Sequence, residues 1–162
     1  MKRSVVIATA AVYAAMYVAL ALLFSPVSYG VINLRVANIL LGLVPLVGWP
    51  AVVGQALGVF IANQPALGDS LGPVDLINVV PSFVFAWLLW KLRTKSVFLG
   101  LTLYSLALGL SVGYSLSYAF NLPLFVEIPQ VTAGIFLATA VLGYIFYRAV
   151  SRLGIVQRRF RQ

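Results

Sequence analysis

Long apolar runs separated by short polar breaks dominate the sequence. A helix needs about 20 apolar residues to cross a bilayer core of roughly 30 Å. Four runs come near or exceed this length, and they are Ser4 to Phe24, Val74 to Trp90, Val97 to Phe120 and Pro129 to Val150. A further apolar block from Val36 to Asn63 is interrupted by Gly48-Trp49-Pro50. The pattern predicts an all-α integral membrane protein, whose first helix we expect to be retained and not cleaved as a signal peptide.

The block from Val36 to Asn63 has two interpretations, one long tilted span or two short helices that meet at Gly48. With two helices, Arg35 alone lies on one side, opposite Lys2, Arg3, Lys91, Arg93, Lys95, Arg148, Arg152, Arg158, Arg159 and Arg161. One long span would place most of these basic residues outside, which the positive-inside rule disfavours. The sequence therefore predicts a plasma-membrane protein with both termini cytoplasmic and a single domain, 1–162, of six helices at 4–24, 36–47, 51–64, 74–92, 97–120 and 129–150.

Composition narrows the function. Hydrophobic residues make up 62% of the chain and charged residues 9%. The net charge of +8 is accounted for by membrane orientation and anionic lipid headgroups, so no nucleic-acid partner is predicted. The chain has no cysteine or histidine and three acidic residues. A metal site, a cofactor and most enzymatic mechanisms are therefore disfavoured.

The predicted topology places the acidic residues at the outer ends of the helices or in the outer loops. These residues are Asp69, Asp75 and Glu127, and they lie on the same side of the membrane as Arg35. Each residue alone could be an ordinary interfacial one, but intramembrane polar groups often mark a ligand route. The helices flanking Gly48 are also too short to span fully. These features indicate an outward-facing cavity roofed by the loop from Ser25 to Leu34. The candidate substrate contacts are Asn33, Arg35, Asn38, Asn63, Asp75, Asn78, Tyr114, Tyr118, Glu127 and Gln130.

Helix 1 is rich in alanine. Small residues spaced by four allow another helix to approach closely in lipid, and the chain shows no nucleotide-binding motif or carboxylate relay to supply energy of its own. We therefore predict a partner-docking face, and the alternative is packing within the bundle. The candidate docking residues are Ala8, Ala10, Ala11, Ala14, Ala15 and Ala19.

Two segments, "AAMYVALALLFSPVSYGVINLR" and "LGVFIANQPALGDSLGPVDLI", resemble the QueT family of queuosine-precursor transporters. Members are substrate-binding S components of energy-coupling factor (ECF) transporters. The resemblance runs from Ala10 to Ser82 and implies a six-helix bundle of S-component type, a transmembrane coupling subunit and two ATPase subunits. Asn33 stands where the family usually has Gln and Asn38 where it usually has Glu. Gly134-Ile135 stands where the family has Gly followed by an acid.

The resemblance implies a 7-deazaguanine ligand such as 7-cyano-7-deazaguanine. A carboxylate can accept both donors of a guanine-like edge, with amide or guanidinium donors answering the carbonyl and an aromatic ring stacking on the base. Asp75 is our first choice for the carboxylate. The expected donors are Asn63, Asn33 and Arg35, and the expected stacking partners are Tyr114 or Tyr118.

Several alternatives stay open. Arg35 could instead be structural, neutralising Asp75 or fixing the loop. The chain could also be an S component for a different vitamin or nucleobase, or a structural membrane subunit that binds no solute.

Overall fold

The computed structural model describes residues 3–25, 34–64 and 72–153, which form six helices. Helix α1 is Arg3–Leu23, α2 is Val36–Val47 and α3 is Trp49–Ala62. Helix α4 begins with a 3-10 segment, Gly72–Asn78, and continues as Val79–Leu92. Helix α5 is Val97–Phe120, and α6 is Leu124–Arg152. Helices α1, α4, α5 and α6 are long and apolar enough to cross a membrane. The predicted six-helix all-α fold is confirmed.

The chain turns sharply between α2 and α3, so the central apolar block is two short helices and not one long span. Gly48 has a φ of +82°, a region that residues with a side chain rarely adopt. A Cβ there would also lie 3.2 Å from Nε1 of Trp90. Helix α2 combines a 3-10 segment, Val36–Leu43, with one α-turn, and α3 has 14 residues. Each helix spans only about 20 Å.

Helices α1 and α3 run parallel and pack closely against each other. A Cβ at Gly58 would lie 2.7 Å from Cβ of Tyr17, and one at Gly54 would lie 2.8 Å from the backbone oxygen of Ala10. Glycine therefore lets the α3 backbone touch α1. This contact buries the Tyr13 and Tyr17 side chains inside the bundle.

The last helix differs most from its predicted boundaries, since it begins at Leu124, earlier than the predicted 129. Pro129 lies inside the helix. The apolar run read from the sequence began at Pro129, but the helix also includes the residues from Leu124, with Glu127 in its first turn. The middle of α6, Leu137–Leu142, is a π-helix. The part that follows, Gly143–Arg152, packs against α2.

The basic residues of the helix ends gather at one end of the bundle. The Trp49 and Trp90 rings are 6.0 Å apart, which places the Gly48 turn beside the end of α4, where Lys91 and Arg93 lie. Helix α6 ends at the same place, because Phe98 at the start of α5 contacts Tyr144 with ring centres 5.5 Å apart. Arg35 precedes α2 and so lies at the opposite end of the bundle.

Candidate functional site

Polar residues from several helices meet at the end of the bundle that contains Arg35. The Gly48 turn folds α3 back along α2, so the start of α2 lies beside the end of α3. Helix α4 begins at this same end. Arg35 precedes α2, Asn63 follows the last residue of α3, and Asp75 lies in the first turn of α4. All three residues are buried.

Arg35 and Asp75 form a buried ion pair. The Arg35 Nη2 atom lies 2.8 Å from Asp75 Oδ2, and the side chains are 4% and 0% exposed. Such a pair needs further hydrogen bonds to offset the loss of hydration. Asn63 supplies one of them, since its Oδ1 accepts from Arg35 Nη1 at 3.4 Å. Its Nδ2 donates to the Asp75 backbone oxygen at 3.3 Å and so ties the end of α3 to the start of α4.

Asn78 fixes the other carboxylate oxygen and ties it to α5. Its Nδ2 donates to Asp75 Oδ1 and, at 3.5 Å, to the Ser115 hydroxyl oxygen, while its Oδ1 accepts from the Ser111 hydroxyl. A carboxylate offers about four lone-pair positions, and among the described side chains Arg35 and Asn78 occupy one each. With respect to these residues, Asp75 has acceptor capacity left for a ligand. We call Arg35, Asn63, Asp75, Asn78, Ser111 and Ser115 the charged cluster.

Tyr17 connects the charged cluster to α2. Its hydroxyl donates to Asn38 Oδ1 at 3.0 Å, and it also interacts with the Arg35 guanidinium and the Gln55 carboxamide. Asn38 is fully buried. Its Nδ2 has no hydrogen-bond partner within the ranges 3–25, 34–64 and 72–153. The site thus contains a buried amide donor beside the ion pair.

A second polar network lies deeper in the bundle. The Tyr13 hydroxyl donates to Gln55 Oε1 at 3.1 Å, and Gln55 Nε2 donates to the Tyr104 hydroxyl oxygen at 3.1 Å. The Tyr104 and Ser82 hydroxyls are 2.7 Å apart. We call Tyr13, Gln55, Tyr104 and Ser82 the central network. It carries no formal charge, and each of its four side chains has a hydrogen-bond partner.

Some residues of the predicted site lie together in the structure, and others lie apart from them. Arg35, Asn63, Asp75 and Asn78 contact one another, and Asn38 joins them through Tyr17. The Tyr114 and Tyr118 side chains are 60% and 70% exposed, so they lie outside the buried cluster.

Four further positions of the sequence analysis lie elsewhere or outside the described residues. Glu127 and Gln130 are partly buried on the first half of α6. Asn33 lies outside the described residues, as does Asp69. Sequence reasoning missed Tyr17, Ser111 and Ser115. The signal for the two serines was their spacing of four on α5, which puts both on one helix face.

The alanines of α1 divide between two faces. Ala10 and Ala14 are buried, on the side of α1 that meets α3, so the structure leaves no room for a partner there. The small size of alanine serves close packing inside the bundle at these two positions. The remaining predicted docking residues are exposed, and they are Ala8, Ala11, Ala15 and Ala19.

Together these features define a multi-pass membrane protein with a buried, charged cluster at one end of a helix bundle, an arrangement typical of solute transport. The family model described as QueT transporter matches residues 7–152. The chain therefore belongs to the QueT transporter family, which is not a family of enzymes. No curated protein and no solved structure matches the chain.

Proposed function

We propose that the chain is the substrate-binding S component of an ECF-type ABC importer, and that it takes up a 7-deazaguanine precursor of a modified tRNA base. The observation that carries the proposal is the fully buried Asp75 carboxylate, which is paired with Arg35 and bonded to Asn78 and has further lone pairs that none of the described side chains is seen to occupy. A chain of the QueT transporter family needs a binding group for its substrate. This carboxylate is the group best suited to a guanine-like edge.

Recognition follows from the donors and acceptors of the two partners. The ring N–H and the exocyclic amine of the base are adjacent donors, which Asp75 accepts. Arg35 already contacts Asp75 and is therefore next to the position of the base carbonyl, to which a guanidinium donates. Tyr17 is the buried aromatic residue at this place and replaces Tyr114 and Tyr118 as the expected ring contact.

The chemistry fits a neutral ligand. Arg35 and Asp75 neutralise each other, so the cluster carries no net charge to attract a polyanion. Burial makes an uncompensated ligand charge costly. A neutral base with adjacent donors and a carbonyl uses the remaining positions without adding charge.

A pair of bases tests the proposal on the wild-type protein. Guanine and hypoxanthine differ in the exocyclic amine, so a carboxylate that accepts both donors should bind guanine about tenfold or more tightly. Isothermal titration calorimetry in detergent, with 7-cyano-7-deazaguanine as the reference ligand, measures the difference. Equal affinities for guanine and hypoxanthine would remove Asp75 from the proposed contact. Absence of binding by all three compounds would remove the ligand class and favour a different vitamin or nucleobase, or a subunit that binds no solute.

The energy for transport comes, on this proposal, from a transmembrane coupling subunit and two ATPases. The exposed alanines of α1 form its docking face, and an adjoining surface groove is lined by Ala8, Thr9, Val12, Tyr13, Met16, Leu43 and Val47. Ala15→Leu should abolish uptake in whole cells and leave ligand affinity unchanged, because added bulk blocks helix approach far from the cluster. Ala14→Leu is the matched control, since it strikes the buried face and should instead lower stability. Equal loss of uptake and binding in Ala15→Leu would contradict docking at this face.

Both termini are proposed to be cytoplasmic, because the basic residues gather at the end of the bundle that carries the Gly48 turn. Single cysteines test this in a chain that has none of its own. Thr94→Cys lies in the basic loop after α4 and Leu122→Cys between α5 and α6, and both positions are exposed. A membrane-impermeant thiol reagent should label only Leu122→Cys on intact cells. The reverse pattern would invert the topology and place the charged cluster inside.

A further inference from the structure

We infer that Asn38 presents a hydrogen-bond donor to the group at ring position 7 of the base, so that the site selects a neutral acceptor there, such as a nitrile, over a cationic aminomethyl group. The inference rests on the proposed function and specifies which deazaguanine the site prefers. It is carried by the buried Asn38 amide, which Tyr17 holds on one side only.

A hydrogen bond from Tyr17 fixes the orientation of the Asn38 amide. The Tyr17 hydroxyl donates to Asn38 Oδ1 at 3.0 Å. With the amide in this orientation, Nδ2 carries two N–H groups that no described residue receives. Leaving a buried donor without a partner is unfavourable, and a ligand acceptor removes that cost.

The order of groups in the protein matches the order of groups on the base. Along the protein they run from the Asp75 carboxylate to the Arg35 guanidinium, then through Tyr17 to Asn38. Along the edge of a 7-deazaguanine they run from the amine and ring N–H to the carbonyl and then to the position 7 substituent. A base that places its donors on Asp75 and its carbonyl on Arg35 therefore extends the position 7 substituent toward Asn38.

Charge favours the neutral acceptor further. An ammonium at position 7 would face the Asn38 donor and lie near the Arg35 guanidinium, while the Asp75 carboxylate is already paired with that guanidinium. The cation would therefore lose hydration without gaining an acceptor. An acid at position 38 would reverse this preference, because it would offer the ammonium a charged acceptor.

Three ligands on the wild-type protein test the inference by calorimetry. They are 7-cyano-7-deazaguanine, unsubstituted 7-deazaguanine and 7-aminomethyl-7-deazaguanine. We expect the cyano compound to bind about tenfold more tightly than the unsubstituted base, because it answers the Asn38 donor. The aminomethyl compound should bind more weakly than either. Equal affinity for the cyano and unsubstituted compounds, or a preference for the aminomethyl compound, would overturn the inference.

Asn38→Asp provides the matched variant. It keeps the size of the side chain and the acceptor for Tyr17, but replaces the Nδ2 donor with an oxygen. The ratio of affinities for the cyano and aminomethyl compounds should fall at least tenfold and turn toward the aminomethyl compound. An unchanged ratio would mean that the amide faces a structural water and not the ligand. If the variant does not fold, the order of the three wild-type affinities decides alone.

Different results would contradict the proposed function and this inference. If wild-type protein binds all three deazaguanines equally and still prefers guanine to hypoxanthine, the Asp75 contact stands and the role of Asn38 falls. If none of the compounds binds, both proposals fall together.

Discussion

The charged cluster and the central network are both buried in the same bundle. They differ in charge and in how many of their hydrogen-bonding groups have partners among the described residues. The charged cluster contains an ion pair, spare lone pairs on Asp75 and the neighbouring Asn38 donor. The central network is neutral, and its carboxamide and hydroxyl groups bond to one another. A satisfied polar network stabilises one helix arrangement, whereas spare capacity in a buried site is useful only when something else fills it. The comparison separates a structural network from a binding site.

The largest effect should follow from breaking the ion pair. Arg35→Met leaves the Asp75 carboxylate buried without its partner, which costs about 3–5 kcal/mol of folding stability. The double variant Arg35→Met/Asp75→Leu should recover most of this loss, because an apolar pair of similar size is often neutral in place of a buried ion pair. Thermal unfolding in detergent gives the first comparison.

Ser82→Ala in the central network is the control for that experiment, and it should cost only about 1 kcal/mol. If Arg35→Met were as stable as Ser82→Ala, the cluster would not hold its charges in the way the structure shows. A double variant less stable than Arg35→Met would point to the same conclusion.

The next effect concerns affinity. Asp75→Asn replaces one acceptor oxygen with a donor that opposes an N–H of the base. The lost charge-assisted bond and the unpaired donor should together cost about 2–4 kcal/mol, or roughly thirtyfold to a thousandfold in affinity. Calorimetry with 7-cyano-7-deazaguanine measures the loss.

The ratio of the affinities for guanine and hypoxanthine distinguishes a lost contact in Asp75→Asn from a general loss of structure. The wild-type preference for guanine over hypoxanthine should shrink toward unity in the variant, because the amine has lost its acceptor. Ser82→Ala should keep the wild-type preference. An Asp75→Asn protein that retains both the affinity and the preference would remove Asp75 from the site.

The helices were predictable from sequence, because a membrane core about 30 Å thick demands long apolar runs and the basic residues fix their parity. The contacts of Asp75 with Arg35 and Asn78, and of Arg35 with Asn63, were partly predictable as well. Polar side chains at the ends of adjacent apolar helices have few other partners in lipid.

The inward face of each helix was not predictable in the same way. Helix α5 is apolar on all sides, so hydrophobicity does not distinguish the face carrying Ser111 and Ser115 from the face carrying Tyr114 and Tyr118. Small residues do mark contacts between helices in lipid. A Cβ at Gly113 would lie 2.9 Å from Cα of Ile128 on α6. The two faces of α1 were ambiguous for the same reason, because alanine suits both an internal contact and a docking face.

The smallest predicted effect compares the loss of one hydroxyl group beside the charged cluster with the loss of one in the central network. Tyr17→Phe and Tyr104→Phe each remove one fully buried hydroxyl and should each cost about 1–3 kcal/mol of folding stability. Tyr17→Phe also releases Asn38 Oδ1, so the amide can rotate away from the ligand. Its affinity for 7-cyano-7-deazaguanine should fall about tenfold, while Tyr104→Phe should bind within about twofold of wild type. Calorimetry and thermal unfolding on the same preparations give both quantities. Equal losses of affinity in the two variants would show that the charged cluster and the central network act as one site joined through Tyr17. An unchanged affinity in Tyr17→Phe would show that Asn38 does not depend on Tyr17 for its position.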